Sequence, residues 1–453
     1  MVKNENYVGV VSRLGSNGEG IVREKDCTVF VPYALPQEKI KYKILKIKKN
    51  VAFGKVVEVY TPAEERIRPK CPVYEKCGGC QLQHLKYKLQ LKLKSQIVKD
   101  CFSKIAFIDA PVAPAVRSDL EYGYRNKLQL PVREDQFGCV IGFFAQNSHR
   151  VVPIKGCPIQ PDWSNRIIAT LKEFIDKNSI SVYNDVDGRL LITVVINGDF
   201  LPCFDELINL LKKDFPKFSL FLNINKRNDN VVLTDEFVCL YGKKNVVSSD
   251  LGIKYEIGPA SFMQVNDGVR RKIYQDAIKA SETDGDTTII DAYSGAGMLT
   301  AIFAQRSRKA IGIEIVKEAV ECADDLKIRN GLESKMENVN AACEDVLPDI
   351  LARERKASKK CVLVLDPPRQ GVDEKLIEAI KRSLPDKIIY ISCSPQTLAR
   401  DVGLLIGSLK RNGEKLEKSD EGGLYELKTV RPYDMFPQTK HIETLVCLNK
   451  KII

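Results

Sequence analysis

Three short apolar runs in the second half of the chain each lead to a polar residue, and this repeated pattern constrains the fold more than any other feature. The runs and their polar ends are 309–313 with Glu314, 361–365 with Asp366, and 388–391 with Cys393. Because predicted helices separate the runs, the strands should lie parallel, and the carboxyl ends of parallel strands meet at one edge of a sheet. The three polar groups therefore predict a shared pocket.

A glycine-containing turn follows a further apolar run, at residues 287–292, and precedes a predicted helix at 299–304. Gly295 and Gly297 would let the backbone approach a ligand closely, and the helix N-terminus would add partial positive charge. Glu314 follows the glycines at about 20 positions, where an acidic residue commonly binds ribose hydroxyls. The turn is shorter than a full dinucleotide fingerprint. It therefore favours a cofactor with one nucleoside, and S-adenosylmethionine fits.

Cys393 and Asp366 occupy positions typical of ligand-binding side chains. Cys393 lies where an apolar strand ends, because Pro395 cannot donate to a β-ladder. Taken alone, Cys393 could equally be a small buried hydrophobe, as most free cysteines are. Pro367 and Pro368 restrain Asp366 at the mouth of its strand, and an accidental surface turn is the alternative.

The first 62 residues contain short alternating stretches separated by glycine- and proline-containing turns, a pattern that predicts a small β-barrel. Lysines alternate with apolar residues along one of these strands and then continue with shifted parity, which predicts a β-bulge near residues 44–45. The lysines are Lys39, Lys41, Lys43, Lys46 and Lys48. This face would suit RNA, and a lysine-protected edge strand is the alternative.

Four cysteines in the first half of the chain have the spacing of a metal site. They are Cys71, Cys77 and Cys80, spaced C-x5-C-x2-C, and Cys157 between a glycine and a proline. Fourteen cysteines is many for a large chain without an evident export signal, so metal-binding and catalytic roles come before disulfides. A structural zinc ion and an iron–sulfur cluster explain the spacing equally well, because thiolates alone do not discriminate between them.

Four motifs and the strand that ends in Glu314 together resemble the RNA uracil-5-methyltransferase family, above all the branch that modifies ribosomal RNA and carries an iron–sulfur cluster. The motifs are DAYSGAG at 291–297, DPPRQG at 366–371, SCSPQTLARD at 392–401 and HIETLVCL at 441–448. The resemblance spans nearly the whole chain. It implies S-adenosylmethionine as methyl donor, uridine in 23S ribosomal RNA as substrate, and a 4Fe-4S cluster on the four cysteines.

The resemblance and the strand pattern together predict three domains. Residues 1–62 form an OB-like β-barrel of the TRAM type that binds RNA, and residues 63–258 form a central β-rich domain that contains the cysteines. Residues 259–453 form a Rossmann-like α/β methyltransferase domain, whose last two strands close the sheet as an antiparallel hairpin. A helix around residues 85–105 should pack on the methyltransferase domain although it lies early in the sequence.

The resemblance assigns catalysis to Cys393 and Glu443. Uracil C5 is a poor nucleophile until a thiolate adds to C6, and cysteine suits this covalent step. A general base must then remove the C5 proton, and burial in an apolar strand would raise the pKa of Glu443 towards a useful value. A strand-surface glutamate is the alternative. His441, two positions away and expected on the same face, is a weaker candidate for the base.

The remaining expected site residues contact the cofactor or the substrate. The cofactor-binding set is Gln264, Tyr293, Gly295, Gly297, Glu314, Asp345 and Asp366. The substrate set is Arg125, Asn126, Lys127 and Arg369. A cluster of basic and polar side chains is also simply a good surface for phosphate, and Arg369 could steady a phosphate or a developing oxyanion.

Composition agrees with an RNA-modifying enzyme. The formal net charge of +11 suits a polyanionic partner, and no apolar run approaches the 18 residues that a membrane-spanning helix needs. We therefore expect a cytoplasmic, monomeric protein without a membrane segment. Two alternatives stay open, namely a transfer-RNA uridine methyltransferase and a non-catalytic RNA-binding assembly factor that kept the fold.

Overall fold

A computed structural model describes residues 1–135, 138–175, 181–184, 190–229, 231–261, 263–358, 360–413 and 415–451. Its first unit is a closed barrel with strand order β1-β2-β3-β5-β4. The strands are β1 (Asn6–Leu14), β2 (Gly20–Glu24), β3 (Cys27–Val31), β4 (Lys39–Lys48) and β5 (Val51–Thr61). Ile40, Tyr42 and Ile44 point into the barrel, and the register of β4 against β5 shifts between Ile44 and Lys46. The predicted bulge is therefore confirmed.

A helix and a group of small sheets follow the barrel. The elements are α1 (Tyr87–Ile105), β6 (Lys127–Leu128), β7 (Val132–Asp135), β8 (Gly138–Phe144), β9 (Val151–Pro153), α2 (Asp162–Ile175), β10 (Ser181–Asn184), β11 (Leu190–Ile196), α3 (Phe204–Asp214), β12 (Phe218–Ile224), β13 (Phe237–Tyr241), β14 (Val246–Asp250) and β15 (Ile253–Ile257). Within the described ranges they form a five-stranded sheet of order β13-β12-β11-β10-β6, a three-stranded sheet β7-β8-β9 and the hairpin β14-β15. Ile192, Leu207 and Leu220 belong to one apolar core between the five-stranded sheet and its helices.

The C-terminal part alternates helices and strands around a seven-stranded sheet of order β18-β17-β16-β19-β20-β24-β23. Its elements are α4 (Asp267–Ser281), β16 (Thr287–Ala292), α5 (Met298–Ala304), β17 (Lys309–Glu314), α6 (Lys317–Arg329), β18 (Met336–Asn340), α7 (Cys343–Glu354), β19 (Lys360–Leu365), α8 (Glu374–Ser383), β20 (Lys387–Ser392), α9 (Pro395–Ile406), the two-stranded pair β21 (Leu409–Asn412) and β22 (Lys415–Lys418), β23 (Tyr425–Tyr433) and β24 (Glu443–Lys450). Strands β16 to β20 are parallel, and β24 and β23 are antiparallel additions. The predicted α/β fold with an N-terminal barrel and a closing hairpin is confirmed.

The early helix α1 packs on this C-terminal sheet. Val98 and Phe102 of α1 are fully buried and share one core with Leu398 and Val402 of α9. Apolar side chains at a spacing of four residues give α1 the stripe that this packing needs. The chain segment between the barrel and the small sheets thus forms part of the core of the C-terminal sheet.

A buried ion pair joins α1 to the segment before β24. Lys94 and Asp434 have no exposed side-chain surface, and Lys94 Nζ lies 2.5 Å from Asp434 Oδ1. The same ammonium donates to the carbonyl oxygen of Phe436 at 3.1 Å. Removing one partner of such a pair leaves an uncompensated charge in the core.

Lys94→Met is therefore expected to lower the free energy of unfolding by about 3–5 kcal/mol. Lys92→Met on the exposed side of the same helix should change it by less than about 0.5 kcal/mol. Urea denaturation of both variants measures the difference, and Asp434→Asn added to Lys94→Met should recover part of the loss. Equal midpoints for Lys94→Met and Lys92→Met would contradict the role of the pair.

No helix in the described part of the chain is both long and apolar enough to cross a membrane.

Candidate active site

The carboxyl ends of β16, β17, β19 and β20 meet at one edge of the sheet, and the glycine turn lies there. The turn after β16 has positive φ angles at Tyr293, Gly295 and Gly297. A Cβ on Gly297 would lie 2.8 Å from the Cβ of Ala323 and 2.9 Å from the Cε of Met336. Only glycine fits there, because both the backbone conformation and the close packing exclude a side chain.

Glu314 is fixed at the end of β17 by two backbone donors. Gly295 N donates to Glu314 Oε2 at 3.0 Å, and Val316 N donates to Oε1 at 2.9 Å. The carboxylate therefore faces the glycine turn, as an acidic residue that accepts from ribose hydroxyls must.

Asp291 is a site residue that sequence reasoning missed. It is buried in β16, and its Oδ2 accepts a hydrogen bond from Thr300 Oγ1 at 2.6 Å. Burial, together with the nearby carboxylates of Asp366 and Glu314, raises the pKa of Asp291 to about 7. Asp291 opens the DAYSGAG motif, and a charged residue inside a fully buried strand was the available signal. Three acidic groups thus lie close together at this edge, and a cationic ligand there would favour their ionised forms.

The three further predicted cofactor residues have different surroundings. Tyr293 is half-buried, and Cys343 and Glu344 of α7 lie close enough to raise its pKa together with burial. The backbone of Gln264 accepts from Asn126 Nδ2 at 3.3 Å. Asp345 instead is exposed and lines a groove between α7 and α8. Its predicted contact with the adenine stays a prediction.

Cys393 and Glu443 are brought side by side by the pairing of β20 with β24. Ile391 pairs with Leu445 and Ser392 with Thr444, so the next antiparallel positions are Cys393 and Glu443. Cys393 is half-buried, whereas Glu443 is 3% exposed. Burial raises the pKa of the Cys393 thiol, and the Glu443 carboxylate raises it further.

Glu443 has the electrostatics of a proton acceptor. Burial raises its pKa well above the ordinary value, and the carboxylate of Asp366 adds to the shift, while Arg369 opposes it. Partial removal from solvent raises the pKa of Asp366 itself to about 7. A carboxylate with a raised pKa is a stronger base once ionised, which matches the predicted task.

Arg369 carries the positive charge of this pocket. Its guanidinium lowers the pKa of Cys393 through its charge and a hydrogen bond, against the larger effect of burial. An arginine in this place can stabilise a thiolate or an oxyanion.

His441 does not lie where the sequence interpretation put it. It precedes β24 in the loop after Lys440, so it does not share a strand face with Glu443. Burial and the charge of Arg369 lower the pKa of His441 to about 4, and its ring meets the edge of Phe436. The predicted strand began at His441, two residues before the first residue of β24.

The predicted substrate residues lie next to the segment that contains Gln264. Asn126 Nδ2 donates to Asp267 Oδ1 at 3.2 Å, and Asn126 N donates to the carbonyl of Val265 at 3.0 Å. Arg125 lies close enough to His441 to lower its pKa. Burial lowers the pKa of Lys127, with Arg125 contributing. The structure thus brings Arg125 to the side of the pocket that contains Arg369.

The four predicted metal-binding cysteines converge on one patch. Cys71, Cys80 and Cys157 pack with the buried rings of Tyr74 and Tyr124. Burial, with a smaller contribution from each of the three other cysteines, raises the pKa of Cys80 to about 12. Burial likewise raises the pKa of Cys157 to about 11. Within the described residues no group of three or more His, Cys, Asp or Glu side chains is compact enough to hold a metal ion.

The donor set fits a cationic centre in its chemistry. Cys80 is buried and the three other cysteines are partly buried. Burial raises the pKa of all four thiols, and a positively charged metal centre would oppose that shift. All four are free cysteines. A hydrogen bond from Gly79 N to Cys77 Sγ at 3.4 Å is of the kind that stabilises a bound thiolate.

Comparison with known proteins agrees with this geometry. Residues 86–451 match the family described as tRNA (Uracil-5-)-methyltransferase, and residues 10–57 match the TRAM domain. The chain is 36% identical to an uncharacterized RNA methyltransferase of Clostridium tetani, with 98% of this chain and 96% of the relative aligned. It is 33% identical to an uncharacterized RNA methyltransferase of Clostridium acetobutylicum, with 99% and 98% aligned.

A solved structure is similar over the whole chain. The Pyrococcus abyssi tRNA (uracil-54, C5)-methyltransferase in complex with S-adenosyl-L-homocysteine has a TM-score of 0.72 and 25% identity, covering 97% of this chain and 99% of that one. The fold, the glycine turn and these relatives define an S-adenosylmethionine-dependent RNA methyltransferase. More specifically, the chain belongs to the tRNA (uracil-5-)-methyltransferase family and carries an N-terminal TRAM domain. The predicted family is confirmed.

Proposed function

We propose that this protein methylates C5 of a uridine in RNA through a covalent bond between Cys393 and C6. The observation that carries the proposal is the placement of a half-buried thiol beside a buried carboxylate and an arginine at the cofactor edge of the sheet. A base in a duplex is out of reach of such a pocket, so the target is a loop uridine or one that flips out of its stack.

Each residue of the pocket has one task in this reaction. The Cys393 thiolate forms a bond to C6, and the electron pair of the C5–C6 double bond moves to the C4 oxygen, where Arg369 stabilises the charge. When bound, S-adenosylmethionine would supply the methyl group to the nucleophilic C5, and its sulfur would keep the electron pair of the broken S–CH3 bond as S-adenosylhomocysteine. Glu443 then accepts the C5 proton, the C5–C6 double bond re-forms, and Cys393 leaves as a thiolate.

The cofactor-binding residues support this reaction by orienting S-adenosylmethionine. Glu314 and the glycine turn bind the nucleoside part, and Tyr293 and Gln264 border it. Asp291 and Asp366 are acidic groups whose pKa is raised to about 7, and a bound sulfonium cation would favour their ionised forms. We assign Asp345 to the adenine end, and Arg125, Asn126 and Lys127 to the RNA.

We propose uridine in 23S ribosomal RNA as the target. The resemblance to the ribosomal-RNA branch and the patch formed by Cys71, Cys77, Cys80 and Cys157 support this assignment. A transfer-RNA uridine is the second candidate, which the likeness to the Pyrococcus abyssi enzyme favours. The lysines of β4 add an RNA-binding face in either case. The proposal includes a monomeric enzyme that acts on its RNA in the cytoplasm.

Mapping of 5-methyluridine separates the two targets. RNA from a strain that lacks the gene should lose 5-methyluridine from 23S ribosomal RNA while its transfer RNA is unchanged, and the wild-type gene should restore it. Loss from transfer RNA alone would replace the ribosomal assignment by the second candidate. No loss from any RNA would contradict methylation of uridine C5.

We further propose that Cys71, Cys77, Cys80 and Cys157 hold a 4Fe-4S cluster that organises the RNA-binding side of the protein. All four thiolates would be ligands, so the cluster has no open position for chemistry. A zinc ion on the same thiolates is the alternative.

Anaerobically purified protein is therefore expected to be brown, with broad visible absorbance and four iron and four sulfide per chain. Cys80→Ser should lose the colour and most of the iron, because a buried ligand is removed. Cys322→Ser, an exposed cysteine of α6, is the matched control and should retain both. A colourless wild-type protein that contains one zinc would contradict the iron–sulfur assignment.

A further inference from the structure

The loop that contains Arg369 is attached to the helix that follows Cys393 by a set of side-chain to backbone hydrogen bonds. Asp401, which is fully buried on α9, accepts from Val372 N at 2.9 Å. Arg400 donates to the carbonyls of Gln370 at 3.0 Å and of Val372 at 3.3 Å. These are three hydrogen bonds between α9 and the backbone of the loop, and Thr397 of α9 supplies a fourth.

The bond from Thr397 reaches Arg369 itself. Thr397 Oγ1 donates to the carbonyl of Arg369 at 3.2 Å, and it shares its hydrogen with the carbonyl of Ser394 at the same distance. Ser394 directly follows Cys393 and caps α9. One helix end therefore fixes both the loop of the nucleophile and the loop of the arginine.

Asp401 is the centre of this arrangement. Its Oδ2 also accepts from Tyr390 Oη at 2.7 Å, and its Oδ1 accepts from Arg400 Nε at 2.7 Å. Tyr390 is fully buried in β20, three residues before Cys393. Burying a carboxylate without hydrogen-bond partners would be strongly unfavourable, so these bonds compensate for the burial of Asp401.

A glycine allows the backbone of the Arg369 loop to lie directly against the Asp401 carboxylate. Gly371 has a φ of +80°, and a Cβ there would lie 2.5 Å from Asp401 Oδ2 and 2.7 Å from a terminal nitrogen of Arg400. The loop can approach α9 this closely only because position 371 has no side chain. The proposed reaction assigns no task to Asp401, Arg400, Thr397 or Tyr390.

We propose that Asp401 is a positioning residue that holds the Arg369 loop on α9 and thereby keeps the Arg369 guanidinium against the Cys393 thiol. This rests on the proposed function only in taking Cys393 as the nucleophile. The charged groups that face the thiol are Glu443 from β24 and Asp366 and Arg369 from the loop after β19, and only Arg369 favours its ionised form. His441 faces Arg369 as a neutral ring, because its pKa is lowered to about 4. Loss of the arginine from its place would leave two carboxylates beside the sulfur.

The test measures the reactivity of the Cys393 thiol in the absence of RNA. The rate at which iodoacetamide alkylates Cys393 is measured by peptide mass spectrometry between pH 6 and pH 10, on full-length wild-type protein and on Asp401→Asn. The thiolate is the reacting species, so the pH profile reports ionisation. We expect Asp401→Asn to react about tenfold more slowly at pH 7, with the midpoint of its profile moved to higher pH. Arg369→Met should move the midpoint at least as far, and the double variant should move it no further than Arg369→Met.

Two controls separate positioning from loss of structure. Asp250→Asn makes the same change at a buried carboxylate that pairs with Arg270 and Arg271, and it should leave the Cys393 profile unchanged. Thr397→Val removes the hydrogen bond that the carbonyls of Arg369 and Ser394 share and leaves those of Asp401 and Arg400 in place. It should shift the profile in the same direction by less, and it replaces Asp401→Asn if that variant proves too unstable to titrate.

Superimposable profiles for wild type and Asp401→Asn, with a shift in Arg369→Met, would overturn the proposal. An unshifted profile in Arg369→Met would overturn it as well. A protein that shows these shifts but transfers no methyl group would instead contradict the proposed function and leave the positioning role intact.

Discussion

Cys393→Ala is expected to lose all detectable methyl transfer to RNA, a fall of at least about 10⁴-fold in kcat/KM, because no other group can add to C6 and make C5 nucleophilic. The measurement is transfer of labelled methyl groups from S-adenosylmethionine to RNA from the gene-deletion strain. The cofactor should still bind with little change in Kd, since Cys393 follows β20, which lies two strands away from β16 and its glycine turn.

Cys447→Ala is the matched control for this variant. Cys447 is buried in β24, four residues from Glu443, so it tests whether any cysteine near the hairpin is required. Its activity should stay within about threefold of the wild type, because a small core cavity costs stability rather than chemistry. Substantial turnover by Cys393→Ala would show that the methyl transfer does not need a covalent adduct at this residue.

Glu443→Gln is expected to stop the reaction after methyl transfer and to accumulate a covalent protein–RNA complex on ordinary uridine. The amide cannot accept the C5 proton, so elimination of Cys393 is blocked, while addition and methyl transfer do not require the base. Turnover should fall by about 10²–10⁴-fold. The complex appears as a slow band in denaturing electrophoresis and should contain a labelled methyl group.

Glu426→Gln, on the exposed side of β23, is the control and should neither slow turnover nor accumulate a complex. In the wild type the elimination step should become faster with rising pH through the pKa of Glu443, since only the ionised carboxylate accepts a proton and burial raises that pKa. A Glu443→Gln enzyme that turns over normally, or one that stalls before methyl transfer, would assign the base elsewhere.

The elements that follow from local patterns were predictable from the sequence. Strands β17, β19 and β20 each have an apolar run after an initial lysine, and β16 has Ile289 and Ile290 at its centre and leads into the turn of Gly295 and Gly297. The bulge at Leu45 was visible as a change of lysine parity along β4. Such features depend on side-chain periodicity and on glycine and proline, which act over a few residues.

The parts that depend on distant partners were not predictable. Lys94 and Asp434 are 340 positions apart, and a lysine on a basic helix gives no sign that it is buried. In the sequence Asp401 is only the last residue of the SCSPQTLARD motif, and its contacts with Tyr390 and Val372 become visible in the structure. The prediction that His441 shares a strand face with Glu443 was wrong for a different reason, because an apolar run does not mark the residue at which a strand begins.

Identification of the residue that bonds to RNA tests the central claim most directly. RNA that contains 5-fluorouridine traps the adduct, because fluorine at C5 cannot be removed as a proton. After incubation with S-adenosylmethionine and nuclease and protease digestion, mass spectrometry locates the modified nucleotide on the protein. The account predicts a 5-fluoro-5-methyl pyrimidine attached to the peptide that contains Cys393, and its disappearance in Cys393→Ala. An adduct on any other cysteine, or one that persists in Cys393→Ala, would contradict it.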